Sequence, residues 1–247
     1  MTHRERVDQA AVWVVGVEEG TERLRFRLEH GLDPEEALRA RGFRSVRADR
    51  VEGDSRPHEL RLVYRVRRRD GTPADTAPAD TASVPGRPWV DAGLVIGPQE
   101  APVRHQRVAA YAVVLSERGV LLSQMSGRTN ARGSWGLCGG GVDPGELPEE
   151  ALHREVREES SQLIEVSGLA RISTRHWVGR APHGRLEDFQ AIRIIYRATC
   201  SEPTDPVVLD VGGTTEASAW VSVAQVAHLP LTPGWRDIIV PLLDAHQ

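Results

Sequence analysis

From Gly140 to Glu159 the chain reads GGVDPGELPEEALHREVREE, which is the most informative stretch of the sequence. Pro148 suits the first turn of a helix, because its fixed φ matches that of a helix and its missing N–H is not needed there. No glycine or proline follows before Ser160, so a helix of about three to four turns is predicted over 147–160. Glycine readily adopts the backbone angles of tight turns. The loop predicted before this helix contains Gly139, Gly140, Gly141 and Gly145.

The acidic residues of this helix share a sector with its apolar residues. Glu155, Glu158 and Glu159 lie at i, i+3 and i+4, so we expect their carboxylates to converge beside the core. Like charges at i and i+4 cost ~0.2 to 0.5 kcal/mol on a surface and more when buried, so a positive group is expected among them. Oxygen ligands without histidine or cysteine favour a hard cation, Mg²⁺ or Mn²⁺. The opposite, polar face carries Glu149, Glu150, His153 and Arg157.

An ordinary solvated helix is the alternative interpretation, because glutamate and arginine are common on helix surfaces. Such a helix would place its acids opposite its apolar residues. Here the acids border the sector of Ala151, Leu152 and Val156 instead. We therefore interpret the stretch as a site for a metal ion and a diphosphate.

The stretch resembles the Nudix box, which reads glycine, five residues, glutamate, seven residues, and then Arg-Glu-aliphatic-x-Glu-Glu-x-Gly-aliphatic. The chain departs from the box at its end, where Ser161 replaces a glycine and Gln162 replaces an aliphatic residue. Because serine adopts the left-handed conformation less readily than glycine, the helix exit is expected to differ locally. The resemblance covers about residues 105–245. The matching positions are Gly140, Glu146, Arg154, Glu155, Val156, Glu158 and Glu159.

The resemblance implies hydrolysis of a diphosphate bond in a nucleoside diphosphate derivative by metal-activated water. Glu158 and Glu159 are the expected metal ligands, and Glu155 is a further ligand or the general base. Arg154 faces away from these acids in an ideal helix. By resemblance it pairs with Glu146 and braces the loop, and an ordinary exposed arginine is the alternative. Candidates for backbone amides that approach phosphate are Gly139, Gly140 and Gly141.

One more acid outside the box is often used by relatives, and Glu216 is the candidate for this additional metal ligand. Glu187 and Asp188 compete for the role. For each of the three, a surface carboxylate without a catalytic role is the alternative.

Three aromatic side chains are candidates for stacking on a nucleobase. They are Trp135, Trp177 and Phe189, and packing in the core is the commoner use of such side chains.

The predicted fold class is α/β, a Nudix αβα sandwich with a mixed sheet over 105–247, preceded by a small α+β domain over 1–69. Residues 70–104 are interpreted as a linker and connecting segment, because 70–88 hold a short Ala-Asp-Thr-Ala repeat and almost no large apolar group. The role of the first domain stays open between substrate entrance, dimerisation and regulation. Strands are predicted at 11–17, 60–67, 108–115, 119–125, 172–178, 191–198 and 219–221, with 108–115 and 119–125 forming a hairpin. Further helices are predicted over 235–245 and after Asp33, which is the expected cap of its helix. The strand over 60–67 alternates: Leu60, Leu62, Tyr64 and Val66 are expected on the inward face, and Arg61, Val63, Arg65 and Arg67 on a solvated face.

Composition narrows the class of partner. The formal net charge of -4 and the pI near 6.2 do not favour a polyanion, so a small nucleotide is expected and nucleic acid is not. No apolar run is long enough to span a membrane, and the first residues lack the apolar run of a signal peptide. Cys138 and Cys200 are too few for a disulfide framework. We expect a cytoplasmic protein, and a homodimer stays open.

Two readings without hydrolysis remain. A regulator would keep the fold and bind a nucleotide without cleaving it, but the intact set of glutamates counts against this. An isomerase of isoprenoid diphosphates would need a catalytic cysteine, and Cys138 fits packing or a turn better. The substrate stays open among ADP-ribose, nucleotide sugars, dinucleotides, NADH and oxidised nucleoside triphosphates.

Overall fold

The computed structural model describes residues 10–55, 58–69 and 86–244, and these form two β-sheets and four helices. The elements of the first sheet region are β1 (Ala11–Glu18), β2 (Thr21–Arg27), α1 (Pro34–Ala40), β3 (Phe43–Ser55) and β4 (His58–Arg68). The elements of the second are β5 (Trp89–Val90), β6 (Val103–Ser116), β7 (Gly119–Met125), β8 (Trp135–Gly141), α2 (Pro148–Ser160), β9 (Glu165–Arg180), β10 (Leu186–Thr199), β11 (Thr215–Val221), α3 (Val223–Val226) and α4 (Pro233–Asp244).

The first sheet has the order β2-β1-β4-β3, with β1 parallel to β4 and the other pairs antiparallel. Asp33 caps α1 as predicted, because its carboxylate accepts hydrogen bonds from the backbone N–H groups of Glu35 and Glu36 at 2.9 and 3.0 Å. Val63 was expected on a solvated face but is buried, since it pairs with buried Val15 in the middle of the sheet. The predicted inward face of β4 is confirmed, with Leu60, Leu62, Tyr64 and Val66 all buried.

The second sheet has the order β11-β7-β8-β6-β10-β9-β5. Two of its pairs are parallel, β6 with β10 and β5 with β9, so the predicted mixed sheet is confirmed. The predicted hairpin of β6 and β7 pairs only next to its turn, at Leu115 with Val120 and Ser116 with Gly119. Beyond that point β8 pairs with both strands and lies between them.

The predicted loop at Gly139, Gly140 and Gly141 is wrong, because these residues end β8 and pair with β6. The absence of side chains at these glycines lets neighbouring side chains approach the strand closely. A Cβ at Gly140 would lie 2.5 Å from Oε2 of Glu155, and one at Gly141 would lie 2.8 Å from the guanidinium group of Arg107. Only residues 142–147 connect β8 to α2, and Gly145 is the glycine there with a positive φ, 84°.

Strands β2, β3 and β5 were not predicted, and the last strand begins at Thr215 instead of 219. Helix α4 begins at Pro233, and its predicted end at Ala245 lies outside the described residues. Most of the predicted linker, residues 70–85, also lies outside them, so the division of the chain at 69 and 105 stays a prediction.

Helices cover both faces of the second sheet, which confirms the αβα arrangement. On one face Leu152 of α2 and Ile192 of β10 share a buried cluster with Leu62 of the first sheet, so both sheets contribute to one core. On the other face Ile195 of β10 packs with Trp235 of α4. Among the described helices, none is both long and apolar enough to cross a membrane.

Candidate active site

Arg154 connects helix α2, the loop before it and strand β8. Its Nε and Nη2 atoms donate to the two carboxylate oxygens of Glu146, each at 2.9 Å, so the predicted pair is present. Nη2 also donates to the carbonyl oxygen of Gly141 at 3.0 Å. Nη1 donates to Glu155 at 2.9 Å and to Glu158 at 3.3 Å. The expectation that Arg154 faces away from the acids is therefore wrong, because its long side chain curls back to them.

Glu155 lies against the end of β8. One of its oxygens accepts from Arg154, and the carboxylate occupies the space that a side chain at position 140 would need. Burial raises the pKa of Glu155 above its ordinary value, although the hydrogen bond and charge of Arg154 act in the opposite direction. A carboxylate with a raised pKa beside a cluster of acids is a candidate proton acceptor at neutral pH.

Glu159 is buried, and its carboxylate is held by three hydrogen bonds. Its Oε2 accepts from the backbone N–H of Gly139 and the hydroxyl of Ser123, both at 3.0 Å, and its Oε1 accepts from the hydroxyl of Thr215 at 2.5 Å. Burial raises the pKa of Glu159 to about 7 despite these donors. The N–H of Gly139 is thus committed to Glu159, which leaves it unable to serve as the predicted phosphate donor.

The three carboxylates of α2 do not converge as fully as the helical spacing predicts. Arg154 attracts Glu155 and Glu158, whereas the donors on β7, β8 and β11 attract Glu159. The positive group expected among the acids is present as the guanidinium of Arg154. Within the ranges that the structure describes, the one group of three potential ligands with atoms all within 4.8 Å of one another lies elsewhere, at His30, His176 and Asp188.

The acids considered as additional ligands lie in three different surroundings. Glu216 is exposed on β11, next to the Thr215 that binds Glu159, and it lines an open cleft with Arg128. Glu187 is buried on β10 and accepts from Arg185 at 2.6 and 2.9 Å. Asp188 contacts His176 and His30 instead of α2. Glu216 is therefore the one of the three that lies beside the network of Glu159.

The predicted base-stacking residues lie away from the acids of α2. Trp177 and Phe189 contact each other across β9 and β10, with ring centroids 4.5 Å apart. Side chains alternate between the two faces of a strand. Phe189 shares a face with Ile195, which packs against α4, whereas Ile192 and α2 lie on the other face. Trp135 also packs against the α4 cluster, so the structure does not bring the three aromatic residues to the glutamates.

Comparison with known proteins agrees with the resemblance. A family model for the NUDIX domain matches residues 103–243, which is more than half of the chain. The chain belongs to the Nudix family.

Curated relatives of this Nudix protein include a nucleoside triphosphatase NudI from Klebsiella pneumoniae, 37% identical over 134 residues, which cover 53% of this chain and 92% of the relative. The human 8-oxo-dGDP phosphatase NUDT18 is 39% identical over 87 residues, 33% of this chain and 27% of its own length. A further NudI is matched over 46% of its length. Among solved structures, a MutT protein from Methanosarcina mazei Go1 is 20% identical, with a TM-score of 0.44, and the match covers 58% of this chain and 96% of that one.

The end of the Nudix box keeps the left-handed helix exit although its usual glycine is absent. Ser161 has φ 59° and ψ 10°, so the expected local difference at the exit is wrong. Gln162 replaces an aliphatic residue with a buried polar one. Its side-chain amide donates to Ser160 and Thr204, and its carbonyl oxygen accepts from the N–H of Thr204 at 3.0 Å. These bonds offset the cost of burying the amide.

Sequence reasoning about the Nudix box missed three residues that surround its acids. Ser123 on β7 and Thr215 on β11 donate to Glu159, and the charge of Arg107 on β6 acts on Glu155. All three lie far from the box in sequence. Thr215 also lies on a strand that was predicted to begin at 219. One sequence signal was available, the polar Ser123 at the end of the apolar run in β7. In the structure this serine is buried, with 1% of its surface exposed.

Proposed function

We propose that this chain is a divalent-metal-dependent hydrolase that cleaves a diphosphate bond in a nucleoside diphosphate derivative. The observation that carries the proposal is the group of acids at one end of α2, where Arg154 contacts Glu146, Glu155 and Glu158 together. A charge-rich structural helix would have no need for a buried acid beside these groups. Here Glu159 is only 8% exposed.

The donor set fits a hard cation. Glu155 and Glu158 each have one carboxylate oxygen that accepts no hydrogen bond from Arg154, and Glu216 is exposed and follows Thr215, which donates to Glu159. Mg²⁺ and Mn²⁺ prefer such oxygen ligands and keep positions for water and phosphate. We assign Glu158, Glu159 and Glu216 as the residues that would hold the ion, and Glu155 as the proton acceptor. When bound, the ion would supply charge for phosphate oxygens and acidify a water molecule.

The protein's own residues supply the remaining parts of the chemistry. Glu155 would accept the proton of the attacking water, because burial already raises its pKa and so improves its basicity. Arg154 positions Glu155 and braces the loop through Glu146, and it is a positioning residue in this proposal. Gly140 provides the space in which the carboxylate of Glu155 lies.

The substrate class follows from the activities for which the relatives are named. The relative from Klebsiella pneumoniae, which this chain matches over most of its length, is described as a nucleoside triphosphatase. The human relative is described as an 8-oxo-dGDP phosphatase. Nucleoside triphosphates and oxidised guanine nucleotides are therefore the first compounds to test. ADP-ribose and nucleotide sugars complete the panel, because they present the same diphosphate to the acids.

The test compares the wild type with Glu158→Gln on this panel, in Mg²⁺, in Mn²⁺ and after chelation, by nucleotide product analysis. We expect metal-dependent turnover of at least one compound and a decrease in kcat of roughly 100-fold or more in the variant, because a charged ligand is lost. Glu149→Gln on the exposed face of α2 is the matched control and should retain activity. Turnover that needs no metal, or equal losses in both variants, would contradict the proposal, and nucleotide binding without turnover would favour the regulator.

A further inference from the structure

A second cluster of potential ligands lies where the first sheet region meets the second sheet. His30 lies in the segment between β2 and α1, His176 on β9 and Asp188 on β10. His176 pairs with Gln190 in the antiparallel ladder, so it is diagonal to Asp188, and side chains in that relation can touch. All three are largely buried, with side-chain exposures of 13, 16 and 19%.

The three side chains converge on one oxygen atom. Oδ1 of Asp188 lies 2.5 Å from Nε2 of His176 and 3.1 Å from Nε2 of His30. The contact with His176 has the geometry of a hydrogen bond, whereas Nε2 of His30 is buried and has no hydrogen-bond partner. In the described part of the chain, five buried side-chain nitrogen or oxygen atoms lack a partner, and Nε2 of His30, which lies near this oxygen, is one of them. An unpaired buried polar atom is costly, so Nε2 of His30 points to a missing ligand.

We propose that His30, His176 and Asp188 bind one Zn²⁺ ion. Two neutral imidazole nitrogens and one carboxylate oxygen form a donor set that suits zinc, and three protein ligands leave one position for water. Ligand atoms about 2.0–2.2 Å from a tetrahedral ion lie roughly 3.3 Å apart. The two distances to Oδ1, 2.5 and 3.1 Å, are within about 1 Å of that separation, and the ligand atoms of the two histidines lie within 4.8 Å of each other.

This site differs from the acids of α2 in chemistry and in position. Imidazole is a poor ligand for Mg²⁺, which prefers oxygen, so the two sites would select different ions. The cleft that reaches His30 has a volume of about 450 Å³ and is lined also by Arg27, Arg104 and Gln106. It reaches the cluster on the side of His30.

The ion would strengthen a polar junction that the protein already makes. Gln190 of β10 accepts from the N–H of Gly31 and donates to the carbonyl oxygen of Leu32, both at 2.8 Å. Thr174 of β9 donates to the carboxylate of Asp33 at 2.6 Å. Hydrogen bonds thus connect Gly31, Leu32 and Asp33 to β9 and β10. Zinc would connect the preceding residue, His30, to the same strands. Its binding free energy would then stabilise the folded chain.

The test uses the full chain without an affinity tag, freed of metal with a chelator. Zn²⁺ binding is measured by equilibrium dialysis with metal analysis, and Co²⁺ binding by visible absorption, each with millimolar Mg²⁺ present. We expect one Zn²⁺ per chain, and affinity weaker by roughly 100-fold or more in His176→Gln and Asp188→Asn, since even outer residues of metal sites contribute 10- to 100-fold. His228→Gln, which removes an exposed histidine, should bind as the wild type does.

A second measurement separates metal binding from folding. Zn²⁺ should raise the thermal unfolding midpoint of the wild type and of His228→Gln, and should leave that of His30→Gln unchanged. Circular dichroism establishes that the variants are folded. If wild-type affinity for Zn²⁺ equals that of His176→Gln, or if Zn²⁺ shifts His30→Gln as much as the wild type, the cluster is a metal-free hydrogen-bonded triad and the proposal is overturned.

Discussion

At the residue scale, Arg154 compensates the charge of three acids with one side chain. Its planar guanidinium contacts Glu146 through two nitrogens while a third nitrogen contacts Glu155. The hydrogen bond from Arg154 is the main cause of the lowered pKa of Glu146. A lysine has a point charge on a flexible stem and lacks this fork.

We predict that Arg154→Lys lowers the free energy of unfolding by about 1–3 kcal/mol, because Glu146 and Glu155 lose directed partners. Chemical denaturation measures this change. Turnover should fall as well, since Glu155 is no longer held in place. Arg157→Lys on the exposed face of α2 is the control, and similar effects in the two variants would show that Arg154 has no special role.

At the scale of elements, the end of β8 is shaped by what packs against it. The glycines there form a strand instead of the predicted loop, since β6 and α2 approach within the space of a side chain. The same strand contributes the N–H of Gly139 to Glu159. Strand β8 and helix α2 therefore act together as the support of the acids.

Gly140→Ala is predicted to displace the carboxylate of Glu155, because the new Cβ would lie 2.5 Å from its Oε2. We expect kcat to fall by roughly 10- to 100-fold while KM changes little, since the group proposed to act on water is misplaced. Steady-state kinetics measures both constants. The control is Gly97→Ala, where the nearest atom lies 3.7 Å away. Unchanged kcat in Gly140→Ala would argue against a role for Glu155.

The first sheet carries a pH-dependent ion-pair group around Asp49 of β3. Partial burial raises the pKa of Asp49, but hydrogen bonds from Arg65 and Arg50 outweigh it, and the pKa is lowered overall. The folded state then binds protons less readily than the unfolded state. The stabilisation is present above the unfolded pKa of about 3.9 and is lost as the pH falls through the lower folded value.

Asp49→Asn is accordingly predicted to lower the free energy of unfolding by about 0.5–1 kcal/mol at pH 6 and to have a smaller effect near pH 3. Denaturation at a series of pH values measures the difference. Asp205→Asn serves as the control, because Asp205 pairs with Arg118 while 91% exposed. A difference between wild type and Asp49→Asn that is constant with pH would contradict the assignment.

At the scale of the whole molecule, the two sheets are joined by a shared core and a polar junction. Buried residues of β1 and β4 belong to the same cluster as those of α2 and β10. Leu147, the N-cap of α2, also approaches Gly53 of β3, where a Cβ would lie 3.0 Å from its side chain. The first sheet region is thus part of the support of α2.

Gln190→Ala is predicted to destabilise the whole chain by about 2–4 kcal/mol, because it leaves the N–H of Gly31 and the carbonyl oxygen of Leu32 buried without partners. We expect one cooperative thermal transition in the wild type, since the sheets share a core. Differential scanning calorimetry measures both. Gln225→Ala at an exposed position is the control. Two separate transitions in the wild type would show that the sheets unfold independently.

Helix α2, its polar and buried faces, and the acids that it carries could all be predicted from the sequence. These follow from spacing within one helix, where 3.6 residues per turn relate neighbours without reference to the rest of the chain. The alternation in β4 and the cap at Asp33 were predictable for the same local reason.

The assignment of β8 and the surroundings of the acids, in contrast, depend on tertiary packing. The glycines of β8 form a strand because β6 and α2 pack against them. The buried Glu159 accepts hydrogen bonds from Ser123 and Thr215, which lie on strands far from it in sequence. His30 and Asp188 are 158 positions apart in sequence and meet only through packing of the two sheets. Such contacts depend on distances between remote segments, and no local periodicity encodes them.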